Sequence, residues 1–295
     1  MSHPWKEILG LNARNRRFVY PSNDRHTIRI ANDKLMARAR LEQVGIPMPI
    51  LLGRVVTLFE IKSTLARISN WENGVVVKPN WGSGGRGILF LTSDGNGGFV
   101  GGRKGTMTSC EVDRHLRTVL SGEYSLRSGM DKVVIEDRVR SHPEILALNE
   151  DGAPDIRILC VGGNPLLAMA RVPTSRSGGK ANLHQGAIGV GLDMQSGQGL
   201  TATWKNRFID RHPDTGLPIK DLRIPHWEEV LKIAKATCAA VPLGYAGVDI
   251  MVDREKGPLV LEINARPGLA IQLANSCPLR PLLEVEKHPL NGVSA

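Results

Sequence analysis

Residues 247–264 read GVDIMVDREKGPLVLEIN, and this stretch decides the fold class because it has the pattern of a β-hairpin. Apolar and polar residues alternate on both sides of a turn at 254–257, which predicts two antiparallel strands. Pairing Asp253 with Pro258 across a four-residue turn sets the predicted register. The apolar residues of both strands then share one face, and that face is predicted to lie in the core.

The opposite face of this hairpin carries Asp249, Glu262 and Asn264. In the predicted register Asp249 stands directly opposite Glu262, with the Cβ atoms about 5 Å apart. Facing like charges destabilise a sheet unless a cation lies between them, and two carboxylates with an amide oxygen suit Mg²⁺ or Mn²⁺. On this interpretation Asp249→Asn relieves the repulsion and slightly stabilises the metal-free protein. The alternative is a solvated strand face on which polar residues alternate by rule.

A second informative stretch is VKPNWGSGGRGILF at residues 77–90, in which the glycines at 82–87 spell G-x-G-x-x-G. The apolar run 88–91 follows the glycines, so the loop is predicted to join two strands. A dinucleotide-binding fold places a helix there, and a P-loop requires Gly-Lys-Ser/Thr. The phosphate-binding lysine of protein kinases follows the loop, whereas Lys78 precedes it. What remains is a lysine-bearing strand that leads into a flexible glycine hairpin, a shape suited to closing over phosphates.

The remaining pattern indicates an α+β protein with mostly antiparallel strands. Asn32 or Asp33 caps a helix that ends at Gly45, according to the helical spacing between them. Further predicted elements are a helix at 60–68, a hairpin at 88–106, a strand at 132–136, a hairpin at 156–170 and a helix at 227–238.

Composition describes an ordinary globular chain of 295 residues with a net charge of +9. The sequence has no apolar run of membrane-spanning length and no apolar signal region, and its four cysteines are far apart. Buried thiols in a reducing compartment, and therefore a cytoplasmic location, are expected. Basic residues concentrate within 12–40, but aromatic residues are only 4% and none interleaves the basic run, so a base-stacking platform is unsupported.

The order of these motifs resembles the ATP-grasp superfamily, most closely the alpha-L-glutamate ligase-like proteins related to the ribosomal-protein glutamate ligase. The matching segments run in that family's order and are 12–15, 32–34, 45–47, 77–79 with its loop, 135–137, 155–157, 182–186, 247–250 and 261–264. The resemblance implies an α+β ATP-grasp fold in which two α+β lobes clasp ATP, with a reduced N-terminal segment. The expected divisions are 1–52 as a basic segment and reduced pre-grasp region, 53–135 as the small lobe with its lid, and 136–290 as the large lobe with the metal-binding hairpin.

The resemblance also implies roles for individual residues. The catalytic candidates are Arg157, Arg266 and Lys78. The cofactor-binding candidates are Lys34, Lys78, Gly84, Gly85, Glu136, Asp137, Val139, Asp155, Lys180 and Asn182. The metal-binding candidates are Asp249, Glu262 and Asn264, the same three residues that the hairpin pattern selects.

Within these sets the expected chemistry differs from group to group. Lys34 and Lys78 neutralise ATP phosphates, and the backbone of 136–139 meets the adenine edge. The planar fork of Arg157 suits a transferring phosphate or a substrate carboxylate. Arg266 is a departure, because the glutamate ligases usually carry a small residue at this position. His184 either contacts substrate or is structural.

The function implied by the resemblance is an ATP-dependent carboxylate–amine ligase that works through an acyl phosphate. The expected partners are ATP, a carboxylate substrate and an amine acceptor such as an amino acid, a peptide or a protein tail, with Mg²⁺ or Mn²⁺ as the metal. A phosphotransferase acting on an alcohol keeps the same nucleotide chemistry. A non-catalytic nucleotide-binding regulator and a nucleic-acid-binding protein are the alternatives from other classes.

Overall fold

The computed structural model describes residues 7–95, 97–101, 105–149 and 152–287. The chain divides into two compact units. The first unit consists of Met1–Asn32, Ala39–Pro47 and Arg140–Ala295, and the second consists of Asp33–Arg38 and Met48–Val139. The domain division that the sequence suggests stays a prediction.

Helices of several lengths connect the strands. They are α1 (Leu11–Arg14), α2 (Tyr20–Ser22), α3 (Arg25–Asn32), α4 (Lys34–Gln43), α5 (Glu60–Ile68), α6 (Ser109–Leu120), α7 (Pro143–Leu146), α8 (Trp227–Ala240), α9 (Ala270–Ala274) and α10 (Leu279–Lys287). A π-helical segment, Asn15–Val19, joins α1 to α2, and 3₁₀ turns form at Leu183–Gln185 and Ile219–Asp221.

The strands form one sheet in each unit. In the second unit they are β1 (Leu51–Val55), β2 (Val75–Pro79), β3 (Leu89–Ser93), β4 (Phe99–Val100), β5 (Thr106–Met107) and β6 (Val133–Asp137). In the first unit they are β7 (Asp155–Val161), β8 (Asn164–Val172), β9 (Ile188–Leu192), β10 (Gly199–Trp204), β11 (Arg207–Ile209), β12 (Tyr245–Asp253) and β13 (Gly257–Asn264).

The order of the strands in each sheet determines which candidate residues are neighbours. The sheet of the second unit has the order β1-β6-β2-β3-β4-β5, and the sheet of the first unit has the order β11-β10-β9-β8-β7-β12-β13. Every strand pair described in the two sheets is antiparallel, which confirms the predicted α+β class. Strands β7 and β12 lie side by side although more than eighty residues separate them in the sequence, so the large sheet brings distant residues together.

The core of the second unit forms where the apolar faces of α5 and α6 pack on the sheet. Ile61 and Ile68 of α5, like Val112 and Leu116 of α6, are almost completely buried, as three- and four-residue helical spacing requires. Thr108 begins α6 with a capping box in which its side chain accepts a hydrogen bond from the Glu111 amide.

The N-terminal segment takes part in the core of the first unit. Leu9 and Phe18 are buried against apolar residues of β7, β8 and α9, and Asn23 donates to the Tyr245 carbonyl at 2.8 Å. Arg14 belongs to the run that the sequence identifies as basic, yet it is only 5% exposed and donates to the Pro267 carbonyl at 2.6 Å. Burial lowers the pKa of Arg14. This arginine therefore supports the fold of the unit and does not belong to a solvated basic arm.

The hairpin of residues 247–264 forms as β12 and β13. The predicted pairs of Asp249 with Glu262 and of Gly247 with Asn264 are confirmed. The predicted pair of Asp253 with Pro258 is wrong, because Asp253 pairs with Gly257 and the register shifts after Asp249. Asp253 closes the shorter turn by accepting hydrogen bonds from the two turn amides at 2.9 and 3.0 Å, and a β-bulge takes up the extra residue.

Other local predictions agree with the structure. Asp33 caps α4 by accepting from the Met36 amide at 3.0 Å, and α5 and α8 begin at the predicted residues Glu60 and Trp227. All four cysteines are free thiols, as expected, and Cys160 and Cys238 are buried, but Cys110 is exposed, so the expectation of a buried thiol is wrong at this position. In the described residues no helix has both the length and the apolar character needed to cross a membrane.

Candidate functional site

One face of the first unit's sheet gathers charged residues from four adjacent strands. Register places Arg157 of β7 opposite Asp249 of β12, and Asp249 also stands opposite Glu262 of β13. On the other side of β7, Asp155 stands opposite Arg171 of β8. Side chains in a strand alternate between the two faces, so this register directs these residues to the same side.

Asp249 is the centre of this polar face. Its carboxylate accepts hydrogen bonds from Arg157 Nε at 2.7 Å and Nη2 at 2.6 Å, and from Arg171 Nη2 at 2.8 Å. The Asp249 side chain is only 2% exposed. Burial opposes its ionisation, but Arg157 and Arg171 outweigh burial and lower the pKa of Asp249 to about 2. Asp249 is therefore a fully charged carboxylate at neutral pH.

Arg171 extends the ion-pair network to Asp155. Its Nε and Nη2 atoms donate to the two carboxylate oxygens of Asp155, which is the two-pronged geometry of a strong arginine–carboxylate pair. Burial raises the pKa of Asp155 to about 6 in spite of the opposing effect of Arg171. The pairing with Arg171 favours the ionised form of Asp155 and thus opposes the effect of burial. The sequence did not single out Arg171.

The metal-ligand candidates meet at the edge of this network. Asn264 Nδ2 lies 3.1 Å from Glu262 Oε1 and 3.3 Å from Asp249 Oδ2. Two carboxylates and one amide are oxygen donors of the kind that Mg²⁺ and Mn²⁺ prefer, so the chemistry of the set fits a hard divalent cation. The described residues contain no group of three or more His, Cys, Asp or Glu side chains placed to hold a metal.

The prediction of unbalanced like-charge repulsion at Asp249 is wrong. It considered only the pairing of Asp249 with Glu262 in the hairpin. In the structure two guanidinium groups balance the charge of Asp249. Arg157 lies 92 residues before Asp249 in the sequence, so the local pattern of the hairpin could not predict this partner.

The segment that follows β8 carries Lys180, Asn182 and His184. Lys180 forms an isolated parallel bridge with Ala153, which lies two residues before the start of β7. Asn182 Oδ1 accepts from the His184 amide at 3.0 Å and caps the 3₁₀ turn Leu183–Gln185. The Asn182 side chain therefore has a structural role in this conformation, in addition to the cofactor-binding role that the resemblance implies.

Arg266 lies apart from the ion-pair network. Its side chain is exposed, and its guanidinium carbon lies 5.5 Å from the centre of the Tyr20 ring. Gly268 lies near the network, because a Cβ atom at this glycine would be 4.0 Å from Arg157 Nη1. Backbone after β13 thus borders Arg157.

A second charged cluster lies within the second unit. Lys78 of β2 forms an ion pair with Glu136 of β6, and Arg38 of α4 contacts the same carboxylate at 2.8 Å. Burial raises the pKa of Glu136, but Lys78 and Arg38 outweigh burial, and the resulting pKa lies below its ordinary value. Two cations share one buried carboxylate, so this triad has an excess positive charge. Arg38 is a further residue that the sequence did not single out, although it lies one helical turn after Lys34.

Lys34 lies beside the glycine loop. Its ammonium group donates to the Gly82 carbonyl at 2.8 Å. Gly82 forms an isolated bridge with Ser125, and the Gly87 carbonyl lies 3.0 Å from His115 Nε2. Both ends of the loop are held by neighbouring segments of this unit, whereas a Cβ atom at Gly84 would meet no atom within 4 Å. The strand–loop–strand arrangement that the sequence predicts is confirmed, because β2 and β3 pair on either side of the loop.

Residues 136–139, whose backbone the resemblance assigns to the adenine edge, begin in the last two residues of β6. Asp137 accepts from Trp71 Nε1 at 2.9 Å and from Asn73 Nδ2 at 2.6 Å, which fixes its side chain within the second unit. Val139 follows in irregular backbone and is half-buried. The sequence also predicts that the glycine-rich 94–105 loop belongs to the lid, but residues 96 and 102–104 of this loop lie outside the described part of the chain.

Comparison with known proteins identifies the family. Residues 13–287 match the family model described as "Sugar-transfer associated ATP-grasp". The chain belongs to this family. The resemblance to ATP-grasp proteins inferred from the sequence is thereby confirmed, and the two antiparallel sheets with flanking helices are those of the ATP-grasp fold.

Individual relatives agree with the family assignment. A probable alpha-L-glutamate ligase of Aliivibrio fischeri (strain MJ11) is 24% identical over 251 residues, which cover 85% of this chain and 61% of the relative. The ATP-grasp ligase PsnB in complex with precursor peptide PsnA2 and AMPPNP has a TM-score of 0.51 at 15% identity, covering 90% of this chain and 61% of PsnB. A PsnB complex with minimal precursor, Mg and ADP has a TM-score of 0.50 at 14% identity over the same shares. The chain thus spans about three-fifths of the length of these proteins.

Proposed function

We propose that the protein is an ATP-dependent carboxylate–amine ligase that forms an amide or peptide-type bond and releases ADP and phosphate. The observation that carries the proposal is the polar face of the first unit's sheet, where Arg157 forms a two-pronged ion pair with Asp249 beside Glu262 and Asn264. A charged face of this kind is suited to binding and orienting anions during group transfer. Membership of the ATP-grasp family supports the nucleotide as the activating substrate.

In this proposal the second unit binds phosphate groups. Lys78 and Arg38 bring two positive charges to the carboxylate of Glu136, and cations placed in this way are suited to binding phosphate groups. Lys34 lies at the start of the glycine loop and is the other phosphate-binding lysine. Gly84 and Gly85 form the part of the loop that covers the phosphates, and the backbone of 136–139 binds the adenine edge.

The first unit contributes the residues that act on the reacting groups. Asp249, Glu262 and Asn264 would hold the divalent cation, which supplies charge neutralisation on the phosphates when bound. Arg157 orients the transferring phosphoryl group or the substrate carboxylate through its planar fork. Asp155, Lys180 and Asn182 contact the nucleotide. The side chain of Arg266 is exposed, so we assign it to binding of the acceptor substrate.

The chemistry proceeds in two balanced steps. A carboxylate oxygen of the substrate attacks the terminal phosphorus of ATP, the bond to the bridging oxygen breaks, and ADP leaves with an acyl phosphate formed. The amine then attacks the acyl carbon, and phosphate leaves as the amine loses a proton. The carboxylate and the amine acceptor are an amino acid, a peptide or a protein tail, and the reaction takes place in the cytoplasm.

Trapping with hydroxylamine tests the proposal. An acyl phosphate reacts with any small strong amine that reaches it, so a cognate carboxylate with ATP, Mg²⁺ and hydroxylamine should give a hydroxamate in the absence of the natural amine. Lys78→Ala should lower the rate by about 10²–10³-fold, the scale for one charge-stabilising group. Exposed Lys62 is a suitable control, because Lys62→Ala removes the same charge from the surface of the second unit.

The same experiment distinguishes the rival functions. A phosphotransferase gives a stable phosphorylated product that hydroxylamine leaves unchanged. A nucleotide-binding regulator binds ATP but releases no ADP when amino acids and peptides are supplied one by one as substrates. Either result would contradict the ligase proposal, and mass measurement of the product identifies which one applies.

A further inference from the structure

Arg171 joins two carboxylates that come from different strands. Its Nε and Nη2 atoms donate to Asp155, and the same Nη2 atom lies 2.8 Å from Asp249 Oδ2. The Arg171 side chain is 14% exposed, so this contact forms with little competition from water. Arg171 has no role in the proposed reaction, yet it contacts the carboxylate at the centre of the polar face.

Asp249 has little capacity left for a metal in this arrangement. A carboxylate has about four lone-pair positions for hydrogen bonds or metal coordination. Arg157 donates twice and Arg171 once to the Asp249 oxygens, and Asn264 Nδ2 lies 3.3 Å from Oδ2. In addition, the two guanidinium charges next to Asp249 repel an incoming divalent cation. A divalent ion must therefore displace an arginine contact before Asp249 can bind it well.

Asp155 keeps Arg171 in this position. Because both Asp155 oxygens are bound by the fork of Arg171, the guanidinium plane is fixed on β8 next to Asp249. Arg157 has one carboxylate partner among these contacts, Asp249, and it is the residue that the proposed reaction uses to orient anions. Arg171 is thus held by a second carboxylate, Asp155, whereas Asp249 is the carboxylate that Arg157 contacts here.

We propose that Arg171 is a positioning residue that, anchored by Asp155, occupies Asp249 in the nucleotide-free protein and weakens the binding of a divalent cation there. The polyphosphate of the nucleotide attracts the guanidinium groups and thereby releases Asp249 for the metal. Metal binding is then coupled to nucleotide binding through an arginine that need not touch the reacting atoms. The inference depends on the proposed metal role of Asp249.

The test measures Mn²⁺ binding in the absence of nucleotide, by the loss of the electron paramagnetic resonance signal of the free ion. Arg171→Gln should bind Mn²⁺ roughly tenfold more tightly than the wild-type protein, the factor that corresponds to about 1.4 kcal/mol. The nonhydrolysable nucleotide AMPPNP should raise the Mn²⁺ affinity of the wild-type protein more than that of Arg171→Gln, once the binding of Mn²⁺ by AMPPNP itself is subtracted.

Two matched variants separate the local contact from general effects. Arg207→Gln removes the same charge from an exposed position of the same sheet and should leave Mn²⁺ affinity unchanged. Arg171→Gln loses the partner of a buried carboxylate, so the double variant Asp155→Asn/Arg171→Gln protects the fold and restores the net charge. The double variant should also bind Mn²⁺ more tightly than wild type, because its Asp249 lacks the second guanidinium.

The outcomes distinguish this inference from the proposed function. Equal Mn²⁺ affinity in the wild-type protein and in the folded double variant would overturn the role of Arg171. If Asp249→Asn leaves Mn²⁺ binding unchanged, the metal assignment itself is wrong, and the inference falls with it. Loss of Mn²⁺ binding in Asp249→Asn together with tighter binding in both Arg171 variants is the result expected here.

Discussion

Arg157 and Asp249 stand opposite each other on neighbouring strands of the first unit's sheet, and their side chains form two hydrogen bonds of 2.7 and 2.6 Å. Residues 92 positions apart in the sequence thus form one ion pair with fixed geometry. The pair keeps a buried carboxylate ionised and holds a guanidinium plane at a defined angle. Both properties depend on the planar fork of arginine as well as on its charge.

Replacement of Arg157 by lysine tests that dependence. Lysine keeps the positive charge but contacts a carboxylate as a point charge, so it cannot reproduce the two-pronged contact with Asp249. Arg157→Lys is expected to lower the rate of hydroxamate formation by roughly 10²–10³-fold. Arg207→Lys, at an exposed position of the same sheet, serves as the control for a general effect of the substitution. A rate for Arg157→Lys within the error of the wild-type rate would show that charge alone is sufficient.

The buried triad of the second unit predicts a dependence of stability on pH. The folded pKa of Glu136 lies below its ordinary value of 4.5, because Lys78 and Arg38 outweigh the effect of burial. A depressed carboxyl pKa contributes stability that is fully present above about pH 4.5 and is lost as the pH falls through the folded pKa. The free energy of unfolding in urea, measured between about pH 3 and pH 7, should therefore decline on the acid side.

Glu136→Gln isolates this contribution. The variant leaves two buried cations without their carboxylate and should be less stable by about 3–5 kcal/mol at neutral pH, the usual loss when one partner of a buried ion pair is removed. Its stability should also fall less steeply in acid than that of the wild-type protein. The exposed Glu72 provides the control, since Glu72→Gln should change neither quantity appreciably. Parallel acid profiles for wild type and Glu136→Gln would assign the decline to other carboxyl groups.

The sequence predicted well those features that depend on local periodicity. The carboxylate face of β12 and β13 follows from the alternation of side chains in a strand, and Asp249 and Glu262 are opposite each other as predicted. Strand–loop–strand order around the glycines and the start of α5 at Glu60 also follow from neighbouring residues. The register beyond Asp249 was wrong because a side-chain cap by Asp253 shortens the turn, and the pattern of apolar residues does not report such a cap.

Features that depend on long-range pairing were missed. Arg38 contacts a glutamate 98 residues away, so no local spacing indicates the buried triad. The sequence contains a weak indication of the role of Arg171. If the hairpin predicted at 156–170 is extended by one residue at each end, Arg171 pairs with Asp155, as it does in the structure. Complementary charges at facing positions of a predicted hairpin could have identified that pair. The cationic partners of Asp249 required the order of strands in the sheet, which pattern analysis does not provide.

The glycine loop yields a prediction about two positions that differ in their surroundings. Gly84 and Gly87 both have positive φ, at +63° and +71°, so alanine is strained at either one. At Gly84 an added Cβ meets no atom within 4 Å, whereas at Gly87 it would lie 2.5 Å from the Tyr124 ring and 2.7 Å from Pro79. Gly84→Ala is expected to cost about 1 kcal/mol of unfolding free energy, and Gly87→Ala clearly more. Equal losses in urea unfolding would contradict the packing of Gly87 against Tyr124.

The loop at 80–87 is expected to respond to nucleotide. Its ends are held by neighbouring segments, but two of the three residues at its tip, 83–85, are glycines, so the amides of the tip should exchange rapidly without ATP and slowly with it. Hydrogen exchange followed by mass spectrometry measures this difference directly. The strand β2, which is buried throughout, is the internal control because its amides should exchange slowly in both states. Equally slow exchange of the loop with and without ATP would reject a closing lid.

The final prediction concerns the sign of a stability change at Asp249. If Asp249 and Glu262 repelled each other without compensation, Asp249→Asn would stabilise the metal-free protein. In the structure Asp249 instead balances Arg157 and Arg171, and its substitution leaves Arg157 without the carboxylate that binds it at 2.7 and 2.6 Å. Asp249→Asn should therefore lower the free energy of unfolding by about 3–5 kcal/mol when measured in urea with a chelator present. Asp210→Asn removes an exposed carboxylate from the same unit and should stay within about 0.5 kcal/mol of wild type. Unchanged or greater stability of Asp249→Asn would show that repulsion from Glu262 outweighs the two arginine contacts.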